Sequence, residues 1–129
     1  IGDTVYVHGG VLPEHLEGLG GLGLEGMNDV IRRWMLGEIS TGHEDAIGDL
    51  GPLWARDYSD LPDQAACAKL DQVLSELGAT RMVVGHTVQE NINADCNGKV
   101  WRIDVGMAQY YGGIPSVLEI AGGATTVLK

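Results

Sequence analysis

The sequence predicts an α/β fold, and three features of the residue pattern lead to that class. Two short β-branched runs, residues 4–7 and 82–84, are typical of buried strands that end at glycine-containing loops. Two segments, residues 27–37 and 60–77, have the apolar spacing of amphipathic helices. The C-terminal half is rich in strand-like runs. Strands alternating with helices before a strand-rich end indicate a mixed α/β domain.

The first predicted helix begins at Met27 and ends near Gly37. Its charged residues Arg32 and Arg33 lie opposite an apolar face. That face consists of Met27, Val30, Ile31, Trp34 and Met35. The preceding residues 18–26 contain too many glycines for a stable helix.

The second predicted helix follows a loop-like segment at residues 40–60. Asp60 and Pro62 are start signals, and Gly78 is placed as the C-cap. Its apolar face consists of Ala66, Leu70, Val73, Leu74 and Leu77.

The strongest turn signal is Asn97-Gly98, between strand-like runs at residues 92–96 and 99–105. An Asn-Gly pair in this context predicts a β-hairpin. Residues 117–120 and 125–128 are predicted as further strands.

Length and charge exclude several classes of protein. The 129 residues fit one domain or part of one. Eighteen acidic against eight basic residues give a net charge of -10, which argues against nucleic acid or an anionic membrane surface as a partner. No apolar run approaches the roughly 20 residues of a membrane helix.

The two cysteines, Cys67 and Cys96, form no CxxC motif, which argues against a disulfide scaffold or a four-cysteine zinc site. Such sparse cysteines suit a reducing cell interior. We therefore expect an intracellular, soluble protein, either cytoplasmic or organellar.

The dominant motif is a histidine that follows a short buried strand, and it occurs twice. His8 precedes Gly9-Gly10, and His86 lies between Gly85 and Thr87. Open α/β sheets collect ligand groups beyond the carboxyl ends of their strands. The pair therefore favours metal ligation over two hydrogen-bonded core histidines, although a closed site needs about four ligands.

Three other patterns are weaker. Gly21-x-Gly23-x-x-Gly26 matches a dinucleotide fingerprint as a string, but no strand precedes it. His43-Glu44-Asp45 has metal-ligand chemistry, but adjacent loop residues seldom converge on one ion. His15, in a polar segment, is expected at the surface or on the cleft rim.

Four segments, in this order, resemble the C-terminal half of a calcineurin-like metallophosphoesterase of the phosphoprotein phosphatase branch, and most closely the Shewanella-like phosphatases. They are Val7–Pro13 with His-Gly-Gly, Leu53–Arg56, Val84–Glu90 with Gly-His-Thr, and Val100–Met107 with Ile-Asp-Val-Gly.

The resemblance implies a two-sheet sandwich flanked by helices, with two divalent metal ions (manganese, iron or zinc) in the cleft. It assigns His8 and His86 as ligands of the second metal and metal-activated water as the attacking group on phosphorus. Arg56 is the candidate for holding the phosphoryl oxygens, and Tyr110 resembles the rim tyrosine, with Tyr111 as the alternative register. Asp104 is expected to support the site, by orienting a histidine, pairing with Arg102 or capping a loop.

The chain departs from the family at the motifs of the first half. Gly-Asp-x-His-Gly, Gly-Asp-x-x-Asp-Arg-Gly and Gly-Asn-His-Glu do not occur in it. We therefore expect residues 1–129 to be the C-terminal portion of one metallophosphoesterase domain, completed by an N-terminal half that brings the other ligands. Alone, the chain should not catalyse.

The resemblance leads to one main functional hypothesis and two alternatives. The main one is a phosphomonoesterase acting on phosphoprotein or phosphopeptide substrates, at Ser/Thr or Tyr. A dinucleoside polyphosphate hydrolase of the same fold is one alternative. A non-catalytic phosphatase-like binding subunit is the other.

Overall fold

The chain forms a four-stranded mixed sheet, four helices and a separate two-stranded hairpin. The computed structural model describes residues 1–129. The strands are β1 (Thr4–Val7), β2 (Arg81–Val84), β3 (Asn93–Asp95), β4 (Val100–Arg102), β5 (Val117–Ala121) and β6 (Ala124–Leu128). The helices are α1 (Pro13–Gly18), α2 (Gly23–Met35), α3 (Glu44–Ile47) and α4 (Gln64–Leu77).

The larger sheet has the order β1-β2-β4-β3, with β1, β2 and β4 parallel and β3 antiparallel to β4. The strands β5 and β6 pair antiparallel in their own sheet. The predicted α/β class is confirmed.

One face of the larger sheet forms the hydrophobic core with the helices. Side chains along a strand point alternately to the two faces of the sheet. Val5, Met82 and Val100 are paired neighbours on β1, β2 and β4, and all three point into this core. The helices contribute the buried residues Leu16, Met27, Val30, Leu70, Val73 and Leu74. On the opposite face Tyr6 is half-exposed, and Tyr6 and Val83 line a cavity of about 250 Å³ together with residues of β5.

The helix α4 follows its predicted pattern with a shifted start. Asp63, not Asp60, is the N-cap, because its side chain accepts a hydrogen bond from the Ala66 N–H at 2.8 Å. The Asp60 N–H instead bonds the Arg56 carbonyl in the preceding turn. Gly78 is the C-cap, with the left-handed backbone that glycine adopts without steric cost.

The expectation for residues 18–26 was wrong in part. Helix α2 begins at Gly23 and includes Gly26, while Gly20 and Gly21 turn the chain from α1 to α2 with positive φ. The predicted apolar face of α2 is buried only at Met27 and Val30; Met35 is 76% exposed at the helix end. The segment 40–60 also contains one helical turn, α3, which lies against α1 and α2.

The hairpin at Asn97-Gly98 is confirmed in shorter form. The strands β3 and β4 are joined through a 3₁₀ turn at Cys96–Gly98, in which Asn97 has positive φ. Cys96 in this turn forms a disulfide with Cys67 of α4, which the sequence did not predict. None of the four helices combines the length and apolarity that a membrane crossing requires.

Candidate functional site

The two motif histidines meet at one edge of the sheet. The strands β1 and β2 are parallel, and Val7 pairs with Val84, so both strands end at the same edge of the sheet. The Gly85 N–H donates to the His8 carbonyl at 2.8 Å and extends this pairing. As a result, His8 Nε2 lies 3.0 Å from His86 Nδ1, and the ring centroids are 4.8 Å apart.

His86 adopts a backbone conformation that non-glycine residues rarely occupy. Its φ is +67°, in the left-handed region, which costs an L-residue on the order of 1–2 kcal/mol. Residues held in such conformations cluster at functional sites, where the surrounding structure enforces them. Here the conformation lets the chain turn directly after β2 while the His86 ring reaches His8.

The environment of His86 favours its neutral form. Burial lowers the pKa of His86, and electrostatic interactions with Arg56 and His8 lower it further, whereas Asp104 opposes them. A neutral imidazole keeps a lone pair for a metal ion. The Nε2 atom of His86 is buried and has no hydrogen-bond partner in the chain.

The glycines after His8 bring a second segment to the site. The N–H groups of Gly9 and Gly10 both donate to the Pro52 carbonyl, at 2.9 and 3.0 Å. A Cβ on Gly9 would lie 2.7 Å from the Ala55 carbonyl oxygen, closer than real Cβ contacts allow. The absence of a side chain at Gly9 therefore permits Ala55 and its neighbours to pack beside His8.

This second segment carries Trp54 and Arg56. The Trp54 ring meets the His86 ring edge to face, with centroids 5.5 Å apart. Arg56 Nη1 donates to Thr87 Oγ1 at 2.7 Å and to the His86 carbonyl at 3.3 Å. Three of the four predicted site residues, His8, His86 and Arg56, thus lie together.

Tyr110 lies apart from these contacts. It is 90% exposed, and its ring contacts Tyr111 with centroids 5.0 Å apart. Tyr111, the other candidate for the rim tyrosine, packs on Gly106. Val88, in the loop that follows His86, packs on the same glycine. The rim assignment of Tyr110 stays a prediction, and no hydrogen bond joins its hydroxyl to His8, His86 or Arg56.

Asp104 caps the loop that follows β4. Its carboxylate accepts a hydrogen bond from the Gly106 N–H at 3.0 Å. A Cβ added at Gly85 would lie 3.8 Å from the Cβ of Asp104. Asp104 does not pair with Arg102, which instead contacts Asn93 and Asp95. Of the roles weighed for Asp104, loop capping is the one that a hydrogen bond supports.

The expectation for His15 was wrong. His15 is 3% exposed and lies in the first turn of α1, a short helix within the segment expected to be polar and irregular. Its Nδ1 accepts the Leu12 N–H at 3.0 Å, so its Nε2–H donates to the Leu50 carbonyl at 2.7 Å. His15 is a hydrogen-bonded core histidine that joins α1 to the segment after α3.

The other weak motifs have structural roles. His43 and Glu44 lie at the start of α3 and take part in no cluster of metal ligands. The glycine string at 21–26 enters α2 directly from the end of α1, without a strand. Cys67, Asp95 and Cys96 have ligand atoms within 4.8 Å of one another, but the two sulfurs are bonded together.

The histidine pair fits a shared metal ion. Two nitrogens each about 2.0–2.1 Å from one ion lie about 2.8–3.4 Å apart at octahedral or tetrahedral angles. The 3.0 Å between His8 Nε2 and His86 Nδ1 falls in this range. A ring N–H donating to the other ring would give the same separation, so the distance permits ligation and does not require it.

A cavity of about 660 Å³ opens beside the candidate site. Trp54 and Arg56 line it, together with His15. Its other charged lining residues are all acidic: Glu14, Glu44, Asp45, Asp49 and Asp57. Arg56 is therefore the one cationic group at this opening.

The chain is similar in sequence to a plant phosphatase and to a fission-yeast protein. The chain is 41% identical to Shewanella-like protein phosphatase 2 of Arabidopsis thaliana over 126 residues. The resemblance to Shewanella-like phosphatases is confirmed. The chain is also 32% identical to an uncharacterized protein of Schizosaccharomyces pombe over 124 residues. Each match covers 93% of this chain. The chain itself spans only about a third of each relative, 31% of the plant protein and 36% of the yeast protein.

Solved structures share the fold. A cold-active protein tyrosine phosphatase superposes with a TM-score of 0.75 at 24% identity, over 97% of this chain and 37% of that one. A cold-active protein tyrosine phosphatase of a psychrophilic Shewanella species gives a TM-score of 0.74. The matched region is the C-terminal part of the phosphatase. No protein-family model matches the chain.

Proposed function

We propose that this chain is the C-terminal portion of a metal-dependent phosphoprotein phosphatase. The observation that carries the proposal is the convergence of His8, His86 and Arg56 at one edge of the sheet. Two imidazoles suited to a metal ion lie next to a guanidinium suited to phosphoryl oxygens. The 41% identity to a Shewanella-like protein phosphatase supports the same chemistry.

Each residue has a distinct role in this proposal. His8 and His86 would hold one of two divalent ions, manganese, iron or zinc, through Nε2 and Nδ1. Arg56 binds and orients the phosphoryl group, because its fork matches phosphate oxygens bidentately. Tyr110 would contact substrate from the exposed rim. When bound, the metal pair supplies a water of lowered pKa and neutralises developing negative charge.

The remaining ligands would come from an N-terminal half of the same domain. The two histidines account for at most half of the shell of one ion, which needs about four ligands. We therefore assign the activity to the full-length protein that carries this chain. Its substrates would be phosphoproteins or phosphopeptides, at serine, threonine or tyrosine.

The test is the substitution His86→Ala in the full-length protein, with His43→Ala as the matched control. His43 is a partly exposed histidine outside the site. We expect His86→Ala to lower hydrolysis of p-nitrophenyl phosphate by more than about 100-fold, since even residues that only orient ligands contribute 10–100-fold. Bound metal should fall with it, while His43→Ala keeps both. Full activity and metal content in His86→Ala would remove the ligand assignment.

Substrate class is tested by rates on phosphoserine, phosphothreonine and phosphotyrosine peptides and on a diadenosine polyphosphate. A preference for a phosphopeptide supports the proposal. A preference for the dinucleotide would assign a different hydrolase of the same fold. Absence of all hydrolysis by the metal-loaded full-length protein would leave a phosphatase-like binding protein.

A further inference from the structure

We propose that Thr87 is a positioning residue that holds the Arg56 guanidinium beside the histidine pair, and that Ser59 and Gln89 hold Thr87 in turn. The proposal rests on the function proposed above, in which Arg56 binds phosphate. These contacts would hold the exposed Arg56 side chain in a single orientation.

Arg56 is held by neutral groups only. The chain has 18 acidic residues, yet none of its five ion pairs includes Arg56. Only Nη1 makes hydrogen bonds, to the Thr87 hydroxyl and the His86 carbonyl. The Nε and Nη2 donors have no partner in the chain, so they remain free for a planar, bidentate anion.

The Thr87 hydroxyl joins two segments. It accepts the Arg56 Nη1–H at 2.7 Å and lies 2.8 Å from Ser59 Oγ. Since a hydroxyl has one hydrogen and two lone pairs, Thr87 can accept from Arg56 and donate to Ser59 at once. Ser59 is fully buried and its N–H bonds the Arg56 carbonyl, which fixes it relative to the arginine backbone.

Gln89 clamps the same two segments through their backbones. Its Nε2 donates to the Ser59 carbonyl and to the Thr87 carbonyl, both at 3.0 Å. Its Oε1 accepts from Asn93 Nδ2 at 3.3 Å. Asn93 Oδ1 in turn accepts from Arg102 Nε at 2.7 Å, across the β3–β4 pair. The contacts at Arg56 are therefore continuous with the sheet.

This arrangement matters because an exposed arginine has many rotamers. Phosphate binding is strongest when the donors already point at the oxygens, and a displacement of about 1 Å can cost about 100-fold in rate. The Thr87 hydroxyl and the His86 carbonyl, both bound by Nη1, restrict the orientation of the guanidinium group and leave Nε and Nη2 to the ligand. A carboxylate in the same place would neutralise the charge that phosphate needs.

The test compares Thr87→Val, which keeps the β-branched shape, with Thr87→Ser, which keeps the hydroxyl. In the metal-loaded full-length protein, we measure kcat and KM for p-nitrophenyl phosphate, affinity for inorganic phosphate by calorimetry, and bound metal by elemental analysis. For Thr87→Val we expect KM to rise and phosphate affinity to fall by up to roughly 10-fold, because the positioning effect is limited by the strength of the Arg56–Thr87 hydrogen bond. Metal content should not change, and Thr87→Ser should stay within about twofold of wild type.

A double-mutant cycle with Arg56→Ala tests whether Thr87 influences phosphate affinity through Arg56. If Thr87 acts through Arg56, then adding Thr87→Val to Arg56→Ala changes phosphate affinity no further. An undiminished effect in that background would overturn the proposal, as would wild-type affinity in Thr87→Val. If Thr87→Val fails to fold, Ser59→Ala is put through the same cycle and decides in the same way.

The two proposals fail differently. If Arg56→Ala weakens phosphate binding and Thr87→Val does not, only the positioning role is wrong. If Arg56→Ala leaves phosphate binding unchanged, the phosphate-binding role of Arg56 falls and the positioning role falls with it.

Discussion

At the scale of single residues, the motif glycines and histidines depend on each other. His8 and His86 reach a 3.0 Å separation because β1 and β2 end side by side at Val7 and Val84, and the Gly85 N–H extends the pairing to the His8 carbonyl. The two glycines differ in surroundings. Gly9 is pressed against backbone atoms of Pro52 and Ala55, whereas a Cβ on Gly85 would meet only ordinary contacts of 3.6–3.9 Å.

This difference predicts unequal outcomes for one substitution at two sites. Gly9→Ala should displace the segment that carries Trp54 and Arg56, because its Cβ meets the Ala55 backbone at 2.7 and 2.9 Å. We expect it to lower the free energy of unfolding by about 1–3 kcal/mol and phosphatase activity at least about 10-fold. Gly85→Ala should stay within about 0.5 kcal/mol and twofold in rate.

The measurement is urea denaturation together with phosphatase kinetics of the full-length protein. Equal effects of the two alanines would contradict the view that close backbone packing at Gly9 builds the site.

At the scale of elements, the disulfide ties the longest helix to the β3–β4 hairpin. Cys67 lies at the end of the first turn of α4, and Cys96 is buried in the 3₁₀ turn. The bridge closes a loop with a sequence separation of 29 residues. Asn93 and Arg102 of the same hairpin support Gln89 near the site, so the bridge anchors an element on which the site depends.

Removing the bridge should destabilise the protein. For a loop of this length, the chain-entropy argument gives about 3–4 kcal/mol. We expect dithiothreitol to lower the free energy of unfolding in urea by about 2–4 kcal/mol. The double substitution Cys67→Ser/Cys96→Ser should be destabilised similarly and should not respond to dithiothreitol. A wild-type protein that is insensitive to the reductant would show that the bond is absent or does not stabilise the fold.

Across all 129 residues taken together, charge repulsion opposes folding. The net charge is -10, and four of the five ion pairs are exposed on both sides, where each contributes little. The fifth joins Arg102 to Asp95 in the hairpin. Repulsion among the excess carboxylates therefore outweighs the attraction of these few pairs.

Salt should stabilise a protein of this kind. Raising NaCl from about 10 mM to about 150 mM shortens the Debye length from about 30 to about 8 Å, so we expect the thermal unfolding midpoint to rise by a few degrees. Choline chloride should give the same rise, since the effect is screening. A midpoint that falls with either salt would indicate that attractive ion pairs dominate.

The local features of the fold could be predicted from short stretches of sequence. Short β-branched runs placed β1 and β2, a glycine gave α4 its C-cap, and Asn97-Gly98 placed the hairpin, because these signals depend on residues close together in the chain. The family motifs also pointed to His8, His86 and Arg56. The same local reasoning missed α1 and left His15 at the surface, since its burial depends on the Leu50 carbonyl 35 residues away.

The contacts between residues far apart in the chain became visible in the folded structure alone. The parallel pairing of β1 with β2 placed His8 beside His86 across 78 residues, and the close approach at Gly9 brought Arg56 to Thr87 across 31. The Cys67–Cys96 bridge and the Ser59–Thr87–Gln89 contacts are likewise non-local. Such contacts are set by packing and strand register, which no short segment of sequence encodes alone.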